Sequence, residues 1–207
     1  MKALVVMLGV AASGKTMFAS ELSKMVAKFH RISSGDIVRL IHEGLSDDEK
    51  NADQEFINKH GLSKYNDQIE EELYRRMAVQ VDAGHTPVLD GYPRTADQMA
   101  KLLSKDYMLT LVKVNVSTMV AMHRLQTRAR DDYMDYESVL RAQTKQMSMM
   151  MQYVEDWSMD SQGYSIPILD LINNSDGEEE KGRILKHGVE CIKSFHLYNI
   201  EAYFRHL

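Results

Sequence analysis

Six apolar residues, Ala3 to Leu8, run without interruption into Gly9-Val10-Ala11-Ala12-Ser13-Gly14-Lys15-Thr16. A short apolar run of this kind has no solvent-facing side, so it predicts a strand buried on both faces, as in a parallel sheet. Beyond the loop, Met17, Phe18, Leu22, Met25, Val26 and Phe29 recur at three- and four-residue spacing and predict an amphipathic helix from Lys15 to Phe29. The intervening GVAASGKT satisfies G-x-x-x-x-G-K-[ST] at every fixed position. Such a loop aims backbone N–H groups and a helix N-terminus at phosphate oxygens. The pattern assigns Gly9, Ala11, Ala12, Ser13, Gly14 and Lys15 to ATP phosphates, with Lys15 bridging the β- and γ-phosphates and the Thr16 hydroxyl on Mg²⁺. It leaves open where the phosphate goes.

The rest of the chain repeats the alternation. Strands are predicted at His30 to Ser33, Thr86 to Leu89, Leu109 to Val116 and Tyr164 to Leu171, where Pro167 marks an edge or an irregular end. Helical patterns cover Ser34 to Gly44, Asn66 to Val81, Ala96 to Leu103, Val120 to Thr127, Ser138 to Trp157 and Glu178 to Phe195. Alternating strands and helices imply an α/β fold of the P-loop NTPase type: a five-stranded parallel sheet with helices on both faces. At 207 residues one domain suffices. Its expected parts are a core of residues 1–33, 80–123 and 136–207, an inserted helical lobe at 34–79 and a short lid at 124–135. The role and packing of the tail 196–207, rich in Tyr and Phe, are left open.

Charge and cysteine content narrow the setting. A net charge of -5 gives no general attraction to nucleic acid or acidic membranes, so an anion must be held by local cations. The single cysteine, Cys191, permits no internal disulfide and no Cys-based zinc site, which suits a reducing cytoplasm. The eight histidines are scattered without ligand spacing and read as packed or surface residues. Among the 15 methionines, the run Met147, Met149, Met150, Met151 falls in a helical pattern and reads as core.

Two further segments carry chemistry. Asp90-Gly91-Tyr92-Pro93-Arg94 follows a buried strand directly, putting a carboxylate and a turned guanidinium at that strand's carboxyl end. Read alone it also fits a turn with a salt-bridged Arg. Arg124, Arg128 and Arg130, followed by Asp131 and Asp132, form a second cationic segment.

With GVAASGKT, ISSGDIVR (Ile32 to Arg39) and DGYPR in this order, the chain resembles the nucleoside monophosphate kinases of the adenylate kinase family. The resemblance extends to about Asp176. It implies that Ser34, Gly35, Arg39, Gly91 and Arg94 bind the acceptor monophosphate, and that Asp36 and Asp90 hold Mg²⁺ through water. Gln98 falls where AMP-reading members carry a Gln that pairs with the adenine edge. Arg124 would cover the ATP base, while Arg128 and Arg130 would grip the transferring phosphoryl group together with Lys15, Arg94 and Arg141. Cations are what this chemistry needs, since charge on the phosphoryl oxygens must be stabilised in transit.

The implied reaction is reversible transfer from ATP-Mg²⁺ to a nucleoside monophosphate, AMP or dAMP, with small-molecule nucleotides as the only partners and oligomeric state undetermined. Several departures bear on the acceptor. Ser34 replaces a Thr, Thr16 follows Lys15 without the family's intervening Gly, no G-x-x-V-P occurs in HGLSKYNDQI, and Arg141 lies one position out of register from Asp131-Asp132. Pyrimidine or broad specificity, a P-loop kinase for a small alcohol, and a non-catalytic nucleotide switch stay open alternatives.

Overall fold

A computed structural model describes residues 2–46, 50, 66–127, 135–160, 166–175 and 177–205. Strand β1 (Ala3–Leu8) is buried at all six positions and lies at the centre of a five-stranded sheet. It is flanked by β3 (Thr86–Asp90) and β4 (Met108–Asn115), with β2 (Phe29–Ser33) and β5 (Ile168–Ile172) at the edges, every pairing parallel. Parallel pairing puts the carboxyl end of every strand on the same rim. The register aligns Ser33 with Asp90, Asp90 with Met7, and Asn115 with Ile172, so the residues just beyond each strand collect along that rim.

Helices cover both faces, as the alternation predicts. Against one face pack α1 (Lys15–Met25) and α7 (Glu178–Arg205); Phe18, Ala19 and Leu22 meet Val5, Met7, Val112, Val189 and Ile192. Complete burial of a side chain such as Phe18 contributes about 2–3 kcal/mol relative to leaving it exposed. A Cβ at Gly188 would stand 2.4 Å from the Phe18 ring, so α7 touches α1 at a point where no side chain fits between them. On the other face lie α2 (Ser34–Glu43), α3 (Asn66–Asp82), α4 (Ala96–Leu103) and α6 (Tyr136–Asp160), with α5 (Thr118–Thr127) next to the loop after β1. Residues Ile69, Leu73 and Met77 of α3 share a core with Leu89, Met99, Leu102, Met150 and Val154. Met147 and Met151 pack against this core, whereas Met149 is exposed.

Three boundaries differ from the sequence pattern by four residues or more, each for a local reason. Helix α1 stops at Met25 because Val26 turns extended, and Phe29 opens β2 opposite Thr86. Strand β5 begins after Pro167, whose carbonyl accepts from the Leu111 N–H. Helix α7 runs ten residues past Phe195, to Arg205, since neither Gly nor Pro interrupts it there. Leu197 and Tyr198 on this extension are exposed, while His196 is buried.

His196 Nδ1 and Thr110 Oγ1 share a hydrogen bond of 2.8 Å, and the ring packs edge-on against Phe29. Burial of the ring pushes its pKa down from the ordinary 6.5 to about 4, so the folded protein keeps it neutral. Because the unfolded chain binds that proton more readily, stability associated with neutral His196 is complete above pH 6.5 and is lost as pH falls toward 4. Equilibrium urea unfolding across this window will show a steep acid limb in the wild type and a flatter one in His196→Gln.

Candidate active site

The loop after β1 is built from its glycines outward. Gly14 caps α1 with φ of 100°, a left-handed conformation, and a Cβ there would lie 2.3 Å from Asn173 Nδ2. Ala12 also takes positive φ, 59°. The curled backbone lets the Lys15 ammonium donate to the carbonyls of Gly9 and Val10, both at 2.7 Å, across the mouth of the loop. Thr16, in the first turn of α1, is exposed.

Neighbouring elements hold this loop from three sides. Asn173, just after β5 and buried, donates from Nδ2 to the Ser13 carbonyl at 2.7 Å. Arg124 of α5 donates to the Ala12 carbonyl at 3.1 Å and to the Ser175 carbonyl at 2.5 Å, joining the loop to the segment between β5 and α7. Gln143 of α6 accepts from the Ala11 N–H at 2.6 Å. Beside the loop, a cleft of about 440 Å³ continues between Gly9, Asn115, Thr118, Thr144 and Met151.

On the opposite flank, β2 and β3 deliver the second group of residues. Ser33 caps α2 by accepting from the Asp36 N–H at 3.2 Å, fixing Ser34, Gly35 and Asp36 in its first turn. Gly91 has φ of 83°, and a Cβ there would collide with Ser34 Oγ at 2.6 Å. Ser34 donates to the Gly91 carbonyl at 2.8 Å, and Arg94 clamps the same turn by donating to Gly91 O at 2.7 Å and to Ser34 Oγ at 3.1 Å. Gln98 accepts from the Arg94 N–H at 2.8 Å and is buried, so its amide supports the Arg94 turn. Tyr92 and Tyr74 of α3 share a hydroxyl hydrogen bond of 3.1 Å, and burial raises the pKa of both phenols. Lys101 of α4 meets the buried Glu70 of α3 at 2.7 Å, a second tie between α3 and the segment after β3.

Asp36 and Asp90 are drawn together by a residue that no motif indicated. Arg31 donates from Nε and Nη2 to Asp90 Oδ2, at 2.9 and 2.8 Å, and from Nη1 to Asp36 Oδ2 at 2.9 Å. Arg39 also pairs with Asp36. The carboxylates of Asp36 and Asp90, joined here by Arg31, and the exposed Thr16 hydroxyl are hard oxygen donors, the chemistry that suits Mg²⁺.

Among sequence-predicted residues, the structure therefore gathers Gly9 through Thr16, Arg124, Ser34 through Arg39 and Asp90 through Gln98 on one rim. Arg128 and Arg130 lie outside the described residues. Arg141 is exposed on α6 and pairs with Glu137 one turn back at 2.7 Å. The helical turn of about 100° per residue instead brings Gln143, in line with Tyr136, Leu140 and Met147, to the loop.

The chain has counterparts among known proteins. The AAA domain family model matches residues 8–141, from the end of β1 into α6. Adenylate kinase from Campylobacter curvus (strain 525.92) is 32% identical over 136 residues, 63% of this chain and 70% of that protein. Adenylate kinase from Campylobacter concisus (strain 13826) matches with the same identity and coverage. The chain is an AAA-domain protein of the adenylate kinase family. Solved structures agree on the fold of this adenylate kinase relative. A sugar kinase from Janibacter sp. HTCC2649 superposes with a TM-score of 0.57 at 12% identity, covering 92% of this chain and 94% of its own. A protein described as a kinase from Chloroflexus aurantiacus J-10-fl gives 0.55 at 16% identity, with 93% and 97% covered. Family membership makes the chain an enzyme, a nucleotide kinase.

Asn173 is the test of how this kinase holds its phosphate loop. Replacing it by Ala leaves the buried Ser13 carbonyl without its donor, which costs about 1–3 kcal/mol. Asn173→Ala will melt several degrees below the wild type by circular dichroism, with the far-ultraviolet spectrum at low temperature unchanged.

Proposed function

We propose that this kinase transfers the terminal phosphoryl group of ATP-Mg²⁺ reversibly to a nucleoside monophosphate, AMP or dAMP, giving two nucleoside diphosphates. The supporting observation is the juxtaposition of two anion-binding groups along adjacent strands. The loop with Lys15 follows β1, and the Ser34–Gly91–Arg94 clamp with Arg39 follows β2 and β3. A nucleotide switch needs only the first group. The second one gives the phosphoryl group a destination, and the adenylate kinase relatives share the reaction class it fits.

In this reading the backbone of Gly9, Ala11, Ala12, Ser13 and Gly14 cradles the donor phosphates, and Lys15 leaves the Gly9 and Val10 carbonyls to bridge them. Arg124 covers the donor base. Arg39 and Arg94 grip the acceptor phosphate, whose oxygen is already a nucleophile at neutral pH and needs no general base. Arg128 and Arg130 stabilise charge on the moving phosphoryl oxygens from the lid at 124–135, which closes with the lobe at 34–79 to exclude water. Thr16, with Asp36 and Asp90 acting through water, would hold Mg²⁺, which would supply charge neutralisation to the donor phosphates.

A coupled assay of ADP release over ribo- and deoxynucleoside monophosphates tests this. Highest turnover is expected with AMP or dAMP; the absence of acceptor-dependent turnover with every monophosphate would refute the reading. Because Gln98 is buried against Arg94, a broad or pyrimidine specificity is the second reading, and the same panel separates the two. Arg94→Ala will lower kcat/KM by roughly 10³-fold while ATP binding persists, since the lost contact serves the acceptor and the transition state.

A further inference from the structure

We propose that Arg31 is an internal counter-cation that competes with the divalent metal for Asp36 and Asp90 and so sets the metal affinity of the site. The inference rests on the reading of these two carboxylates as metal-side groups. It starts from geometry: one guanidinium spans both acids, placing two donors on Asp90 Oδ2 and a third on Asp36 Oδ2. The Asp90 side chain is 5% exposed and that of Arg31 22%, so water and salt screen their attraction little.

Charge counting gives the consequence. Asp36 and Asp90 carry two negative charges, and Arg31 with Arg39 returns two positive ones, so the cluster is neutral. A dication approaching it, directly or through its water, meets a guanidinium already seated on Oδ2 of both carboxylates and must compete with that positive charge. Metal affinity is therefore lower than two free carboxylates would give. Arg39 pairs with Asp36 here and grips the acceptor phosphate in the proposed function, so an acceptor that draws Arg39 away leaves Asp36 more negative. Acceptor and metal then reinforce one another's binding, reciprocally.

Removing Arg31 leaves the buried Asp90 carboxylate without its partner, and the metal becomes the natural substitute. Mn²⁺ binding to the nucleotide-free protein, followed by electron paramagnetic resonance, is expected to tighten about ten-fold in Arg31→Gln. Arg31→Lys, which keeps the charge but loses the fork, is expected to fall between that variant and the wild type. Mg²⁺ should also raise the melting temperature of Arg31→Gln more than that of the wild type. Unchanged or weaker Mn²⁺ binding in a folded Arg31→Gln overturns the proposal; should that variant not fold, wild-type affinity in Arg31→Lys does the same. Phosphoryl transfer is measured separately: transfer with unchanged metal affinity refutes only the role of Arg31, and tighter metal without transfer refutes only the kinase reading.

Discussion

The rim is arranged around one restriction: β1 is buried on both faces along its whole length. No hydrophilic side chain can leave the sheet there, so the chain must change character abruptly at Gly9. The same restriction acts on β3 and most of β4, and parallel pairing brings all these changes of character to a single rim. The site is thus the place where the core permits polar groups to surface, and its residues come from five strand ends rather than from one segment.

The two halves of that rim are held differently. In the loop after β1, carbonyls and N–H groups are engaged by Asn173, Arg124 and Gln143, which arrive from three separate elements. Such support fixes backbone geometry ahead of any ligand, which is what a phosphate cradle needs to be effective. The half after β2 and β3 is tied through side chains: Arg94 to Gly91 and Ser34, Arg39 to Asp36, Tyr92 to Tyr74. Ion pairs of exposed arginines are individually weak and exchange readily. The geometry therefore sets a firmly held loop after β1 beside a group after β2 and β3 able to re-pair.

Much of this was legible in the residues. Continuous apolar runs located the strands, and glycine spacing located the loop, because both features are local. Phe29 misled the reading of α1, since its spacing from Val26 suits a helix although its ring is buried from a strand. Arg31 sits in Phe-His-Arg-Ile-Ser, where a single cation between apolar residues reads as an exposed strand position. Its meaning depends on a partner 59 residues away and on the register that aligns Ser33 with Asp90. Asn173 and Gln143 are lone amides, one in a turn and one in a long helix, and neither chemistry nor spacing distinguishes them before the fold is known. Arg141 pairs within its own helix, with Glu137, while Gln143 two positions on reaches the loop.

The contact between Gly188 and Phe18 extends the site well beyond the rim. Phe18 lies one turn into the helix that begins at the phosphate loop, so the distance at which α7 sits from α1 sets where Lys15 and Thr16 project. A helix near the carboxyl end, contributing no phosphate contact of its own, acts as the backstop for the loop. Tolerance to change along α7 should accordingly be graded: the exposed outer portion near Leu197 and Tyr198 can carry a fusion or label, whereas a bulky side chain at Gly188 would tilt α1 and be felt at the phosphates.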